Sequence, residues 1–404
     1  MTRTLRVRVA LVLAIAVLAW QVTSIVRQGV LPPNDFTVYW AASRLAINGG
    51  NPYDAAQLLR VEQAVGWPEP EPGMMWNPPW TLAIIMPFGL LRYPVGCLLW
   101  VAMMMGGLTA CIVWLWTYYG GLSGRRWQAI LIGFTFAPVL IALKLVQISP
   151  LMVVGVVVFL YFAERGDWLA AGFAAGALLV KPQVVYLFWL ALGLWAFRER
   201  RWSVLLGAGA ALALAMAVVL LLDPAIIPQY LQVATSRGVE DWMRHTPGAL
   251  LRMLFGHGTL GSFWLQFIPM LVGIGWFIPY WRRQSMQWDW GRQMPMLLLI
   301  SVTTSPYAWI FDQVVFLPAL LQAAIWVLYV RQRGLAVAIS LCYLGIDILL
   351  LLSAFVAADR LPAYVGFMLS GPFALVGYLL LRRLVGDQIT LHEGRHHDAT
   401  VQHK

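Results

Sequence analysis

Long apolar blocks alternate with short basic connections along most of the chain. A hydrocarbon core takes roughly 20 apolar residues per helix, so 404 residues hold about a dozen spans with short connections and one or two longer loops. Hydropathy predicts spans near residues 8–26, 94–118, 127–143, 149–163, 168–182, 184–197, 202–222, 261–280, 294–304, 312–330, 335–353 and 362–381. The apolar segment from Trp80 to Leu91 is led by Pro78 and Pro79 and interrupted by Pro87. At about a dozen residues it reads as an interfacial or re-entrant helix. Several predicted spans are short, notably those near Lys181 and Ser305, and short or broken spans must be tilted or embedded in protein and water. The predicted architecture is an all-α polytopic bundle of about 12 transmembrane helices, with interfacial helices carried on a long first external loop.

Composition strengthens that reading. The chain is 60% hydrophobic and 11% charged, where soluble domains carry charge on about a quarter of their residues. The net charge of +10 would suggest nucleic acid in a soluble protein, but here it follows membrane topology. With the N-terminus inside, the basic connections Arg125-Arg126, Arg165, Arg198 to Arg201, Arg282-Arg283 with Arg292, Arg331 with Arg333, and Arg382-Arg383 all fall on the cytoplasmic side. Both termini are then cytoplasmic. Ten basic residues remain: Arg27, Arg44, Arg60, Arg92, Lys144, Lys181, Arg237, Arg244, Arg252 and Arg360. Arg3, Arg6 and Arg8 precede the first apolar stretch, which is longer than a signal-peptide core and lacks a small-residue cleavage site, so it reads as a retained span. Cys97, Cys111 and Cys342 lie inside apolar runs and suggest neither a disulfide framework nor a zinc site. Residues 1–385 read as one integral membrane domain with external loops at about 28–93 and 223–260. Residues 386–404 read as a polar, disordered cytoplasmic tail whose His392, His396 and His397 are solvated.

Candidate chemistry concentrates in the external segments. Asp35 stands directly after the first span and ahead of a helix. Partial desolvation there makes a carboxylate a better general base, while Asn and Asp before a helix are also preferred N-caps; the residues alone weigh these readings evenly. Tyr39 belongs to the same helix, where it can contact substrate. Asp54, in the turn Gly50-Asn51-Pro52-Tyr53-Asp54, reads first as a cap with Gln57 and second as a substrate contact. Lys144 and Lys181 are the only lysines before the C-terminal residue, and each stands beside a Gln and a Pro, with Gln147 and Gln183 respectively. Such cations suit a phosphate, against the alternative of lysines snorkelling at helix ends. Arg237, Arg244 and His245 of the second loop add to an anion site or lie solvated. The stretch Thr303 to Gln313 breaks one span and opens another on the external side, bringing Tyr307, Trp309 and Asp312. Asp312 orients a sugar hydroxyl or a cation, or caps the next helix. Asp223-Pro224 reads as a span terminator, Asp347 as a buried polar contact, and Gly172 with Gly176 as a helix-packing pair. Walker, GxGxxG, HExxH, CxxC and GxSxG patterns are absent, which removes support for nucleotide-driven and Ser-hydrolase chemistry.

The order of these short segments carries a resemblance: Asp35 to Leu45, Gly50 to Asp54, Asn77 to Leu90, Gln147, Gly172 to Gln183 with its Lys-Pro-Gln, and Ser305 to Pro318. Taken together, the chain resembles glycosyltransferase family 87 of the GT-C superfamily. The resemblance implies a polyprenyl-phosphate sugar donor, typically mannose, and inverting transfer at the extracytoplasmic face of a bacterial-type plasma membrane. It also implies no nucleotide sugar; the transfer chemistry requires no metal, the acceptor is an unidentified glycan or lipid, and no nucleic-acid partner is expected. Residue by residue, Asp35 matches the family's acidic base and Lys181-Pro182-Gln183 its segment near the donor phosphate. The sequence departs where related enzymes carry a His in the Ser-Pro region, since Ser305 to Asp312 contains none. A secondary transporter or lipid flippase, or a non-catalytic membrane partner, is the competing reading of short Pro-broken helices with intramembrane charges.

Overall fold

The computed structural model describes residues 33–236, 245–256, 260–330, 333–356 and 361–401. It is all-helical, with no strand among those residues. In chain order the helices are α1 (Asp35–Ile47), α2 (Ala55–Gln63), α3 (Leu82–Gly89), α4 (Tyr93–Tyr118), α5 (Arg126–Thr135), α6 (Ala137–Lys144), α7 (Pro150–Glu164), α8 (Trp168–Ala175) and α9 (Tyr186–Arg198). There follow α10 (Trp202–Leu222), α11 (Ile226–Ser236), α12 (Pro247–Phe255), α13 (Ile268–Gln284), α14 (Trp290–Thr304), α15 (Leu317–Tyr329), α16 (Arg333–Val356) and α17 (Leu361–Val401).

Six described segments are long and apolar enough to cross a membrane: Tyr93–Tyr118, Trp202–Leu222, Ser262–Gln287, Ile310–Leu328, Gly334–Ala354 and Tyr364–Val385. They fall on six of the expected spans. Leu98, Leu206, Leu271, Leu341 and Leu349 on these helices are exposed, as lipid contact requires. The chain is an integral membrane protein. Two bent pairs raise the number to eight: α5 with α6, bent by 63°, and Trp168–Val180 with Pro182–Arg198, bent by 120°. Six to eight candidate spans among the described residues thus stand against the twelve expected. Residues 168–182 and 184–197, expected as two spans, form the single sharply bent pair, while α7 and α14 are 15 residues each. The predicted span at 8–26 lies outside the described residues. The backbone of α17 runs on through residues 386–401, the stretch read as a polar tail.

Each bend has a local cause. At the α5–α6 break Phe136 is extended, and Pro138 stands near the start of α6. The first amide of α6, Ala137 N, donates to Asp347 Oδ1 of α16 at 3.0 Å, so the buried carboxylate caps a neighbouring helix. That is the buried polar contact expected of Asp347. Lys181, ahead of Pro182, has left the helical region at φ −147°, ψ 67°. The carbonyls freed there are taken up by the first loop: Asn77 Nδ2 donates to Val180 O and Trp80 Nε1 to Leu179 O, both at 2.9 Å. The segment after Pro78-Pro79 forms a short turn and α3, too short to cross a bilayer.

Helix α1 is nearly all buried, and its packing fixes the first loop. Phe36 meets Phe88, Tyr93 and Trp100 with ring centroids at 6.3, 6.3 and 5.7 Å. Trp40 Nε1 donates to Leu91 O at 3.1 Å and Arg44 Nη1 to Gly89 O at 3.1 Å. Arg44 thus caps the end of α3.

The expected small-residue contact is a close backbone approach between α8 and α10. A Cβ on Gly172 of α8 would lie 1.9 Å from Val204 O, and one on Gly207 of α10 would lie 2.1 Å from Leu169 O. Backbones at this separation leave no room for a side chain. Gly172→Val is expected to prevent folding or cost at least about 3 kcal/mol. An unchanged midpoint of thermal unfolding in detergent would reject the packing.

Candidate active site

One cavity of about 1200 Å³ opens where α1, the 67–78 segment of the first loop, the end of α6, the Lys181 break and the 307–312 stretch converge. Asp35, Tyr39, Lys144, Gln147, Lys181, Gln183, Tyr307 and Asp312 all line it. Arg244 and Arg237 lie outside the described residues. Asp54 does not line the cavity. It caps α2, accepting from Gln57 N at 2.8 Å, as its spacing indicated.

At the start of α1 the structure assigns the cap to Asn34 and not to Asp35. Asn34 is the N-cap of α1: its Oδ1 accepts from Phe36 N at 2.9 Å, and its own N–H donates to Thr37 Oγ1 at 3.1 Å. Asp35, one position into the helix, is released from that duty. Its carboxylate instead accepts a short hydrogen bond from Gln147 Nε2. Gln147 Oε1 accepts in turn from Tyr39 OH at 2.9 Å. Because the amide accepts from Tyr39, its NH₂ faces Asp35, so the three side chains form an oriented relay. Gln147 reaches this place from a tight turn in which Val146 adopts φ +54°, a left-handed conformation costly for a β-branched residue. Burial raises the Asp35 carboxyl above its usual range, with Gln147 and the charge of Lys181 opposing.

The second centre is ionic. Lys181 Nζ lies 2.7 Å from Asp312 Oδ1 and donates to Ser149 Oγ at 3.1 Å, and Ser149 Oγ donates to Asp312 Oδ1 at 2.5 Å. The Asp312 side chain is 1% exposed. Its other oxygen accepts from Trp309 N at 2.9 Å, so Asp312 caps the 310–316 turn as well as pairing with Lys181. Lys181 also stands 4.6 Å over the Phe311 ring. Ser305 Oγ lies 3.1 Å from Gln183 O and accepts from Tyr307 N, joining the Lys-Pro-Gln backbone to the late segment.

The model of glycosyltransferase family 87 matches residues 76–306, more than half of the chain. The chain belongs to glycosyltransferase family 87. It is therefore a membrane glycosyltransferase, and the cavity is its candidate active site. The match includes the Asn77 segment, Lys144, Gln147 and the Lys181 break, while Asp35 and Asp312 lie outside it and reach the same cavity through folding. No curated protein and no solved structure matches the chain.

Sequence reasoning missed one contributor to this candidate site and misassigned another. Glu62 of α2, fully buried, accepts from Gly73 N through Oε2 at 3.0 Å and closes the loop whose Trp67, Gly73 and Met74 line the cavity. The second is His245, placed among the loop cations by its sequence neighbours. Burial takes its pKa down to about 3, so it enters the site as a neutral ring.

Two predictions follow from this wiring. Lys181→Met leaves Asp312 buried without its cation, and is expected to destabilise by about 3–5 kcal/mol. Adding Asp312→Asn is expected to restore much of that stability, as read from thermal unfolding midpoints. Burial raises Glu62 from 4.5 to about 7. A carboxyl raised by folding stabilises fully below its unfolded pKa and loses that contribution as pH climbs through the folded one. Wild type is therefore expected to lose on the order of 2–3 kcal/mol more than Glu62→Gln between pH 5 and pH 8. Parallel pH curves for the two proteins would reject the shift.

Proposed function

We propose that this glycosyltransferase moves a hexose, mannose, from a polyprenyl-phosphate sugar to an extracytoplasmic glycan or lipid acceptor, with inversion. The observation that carries the reading is the pairing, within one cavity, of a carboxylate released from capping with two lysines. Asp35 removes the acceptor hydroxyl's proton as that oxygen forms a bond to the anomeric carbon. The bond from that carbon to the phosphate oxygen breaks on the opposite face, its electron pair leaves with the lipid phosphate, and inversion follows.

The electrostatics suit a singly charged phosphodiester. Lys181 is charge-balanced by Asp312, and two of its three N–H donors go to Asp312 and Ser149, which leaves one for a phosphate oxygen. Lys144, on the same wall, supplies a positive charge to match the diester. The leaving phosphate needs no protonation near neutral pH, so positioned cations suffice to stabilise it. Gln183 and Tyr307 on the wall are placed as substrate contacts, and Trp67, Trp76 and Trp309 offer faces to a sugar ring. The apolar body around the site accommodates the isoprenoid chain, in a multi-pass arrangement with both termini cytoplasmic and the cavity facing outward.

The test is sugar transfer in liposomes holding the purified protein, with radiolabelled polyprenyl-phosphate mannose and a mixed acceptor extract. Asp35→Asn is expected to lower transfer by about 10²–10⁴-fold with folding intact. In wild type the acid limb of the pH profile is expected to lie above the ordinary carboxylate range. Gln147 holds the charged form of Asp35, so Gln147→Leu is expected to move that limb to still higher pH. Full transfer by Asp35→Asn would move the base elsewhere. Vectorial movement of the lipid without transfer would give the site to a flippase.

A further inference from the structure

The cavity wall from Trp309 to Asp312 divides two environments. On one side Lys181 pairs with Asp312 and lies over Phe311. On the other stands His245, with ring centroids 5.0 Å from Trp309, 5.6 Å from Tyr364 and 4.6 Å from Phe367. All of these residues line the same cavity.

His245 is fixed at both backbone and ring. Its N–H donates to Ala308 O at 3.2 Å, and its Nδ1 accepts from Ile310 N at 3.0 Å. An Nδ1 that accepts carries no proton, so in the neutral ring the proton sits on Nε2. Nε2 is buried and has no hydrogen-bond partner among the described residues. An orphaned buried donor costs free energy unless something accepts from it. The ring's low proton affinity keeps it a donor of one hydrogen bond and not a cation.

We propose that His245 Nε2–H, with the Trp309, Tyr364 and Phe367 rings, forms an uncharged subsite that donates to a hydroxyl of a pyranose ring. The chemistry distinguishes the two sides of the wall. A phosphate calls for a cation such as Lys181, whereas a sugar presents hydroxyl acceptors and apolar C–H faces that a neutral donor and aromatic rings accommodate. His245 lies about sixty residues before the segment it completes, so a ring nitrogen reaches the Ser305–Asp312 region without any His in that stretch. The inference rests on the glycosyltransferase reading above and adds the residue that reads the sugar. That sugar belongs either to the donor lipid or to the acceptor.

Binding to the full-length protein in detergent tests this without requiring transfer. The probes are radiolabelled polyprenyl-phosphate mannose, polyprenyl phosphate lacking the sugar, and an alkyl mannoside. His245→Asn retains an acceptor for Ile310 N but removes the ε donor, whereas His245→Gln retains a donor near the ε position. If the subsite reads the donor sugar, His245→Asn is expected to weaken polyprenyl-phosphate mannose about five- to tenfold and leave polyprenyl phosphate unchanged, with His245→Gln recovering most of the loss. If it reads the acceptor sugar, the same pattern appears with the alkyl mannoside and the donor lipid is unaffected. Unchanged binding of both sugar probes by His245→Asn overturns the proposal. So does equal weakening of sugar-free polyprenyl phosphate, which would make His245 a phosphate contact. Wild type that binds none of the probes fails the glycosyltransferase reading itself, and this is seen before any variant is compared.

Discussion

A half-buried lysine at a helix break, paired with a buried carboxylate, is the constraint around which the site is arranged. Lys181 ends one arm of the 120° bend, and its ammonium must be compensated where little water reaches it. Asp312 does so from about 130 residues away, with Ser149 completing the triad. Each partner opens a short or broken element: Ser149 stands before α7, and Asp312 lies in the 310–316 turn. The ion pair thereby holds three irregular backbone segments together beside the cavity, the setting in which such backbone is tolerated in a membrane protein. Its stabilising value is small beside this geometric effect. Removing one partner is costly because it strands the other, whereas an intact buried pair contributes little net stability.

The same lock sets the neighbouring positions. Fixing Asp312 Oδ2 on Trp309 N orders the 309–312 backbone, and that ordered backbone presents Ile310 N to His245 and the Phe311 ring to Lys181. On the opposite arm, the carbonyls freed at the break bind Asn77 and Trp80, tying down the first loop that carries α1. Asp35 is therefore positioned by two routes, through α1 packing on Phe88, Tyr93 and Trp100 and through Gln147.

Much of this was legible in the sequence. Six spans with a full apolar length appeared near their observed limits, because length and hydropathy alone decide them. The rarity of lysine singled out Lys144 and Lys181, and Asp54 announced its cap through its spacing to Gln57. Broken segments were less legible. Residues 168–197 contain enough apolar residues for two spans; Pro182 breaks them into one bent pair, and a distant carboxylate compensates Lys181 at the break. The choice between Asn34 and Asp35 as cap was likewise invisible, since adjacent Asn and Asp satisfy the same preference; Thr37, three residues after Asn34, settles it. Glu62 and His245 were hidden for another reason, because each acts through a backbone amide that no side-chain pattern reveals.

That division of labour at the start of α1 bears directly on chemistry. A capping carboxylate would spend its lone pairs on backbone N–H groups, which stabilise the charged form and depress basicity. Passing the cap to Asn34 leaves Asp35 with a single described side-chain donor, Gln147, and with burial as the larger influence, so its proton affinity rises. Gln147 keeps the carboxylate oriented without neutralising it, and its own orientation is fixed by Tyr39. The left-handed Val146 is the local cost of bringing an amide to that point from the turn after α6. Strain held at this turn, beside a carboxylate freed from capping and a lysine held by a buried partner, is what marks this cavity as the candidate active site and not an assortment of polar residues lining a hole.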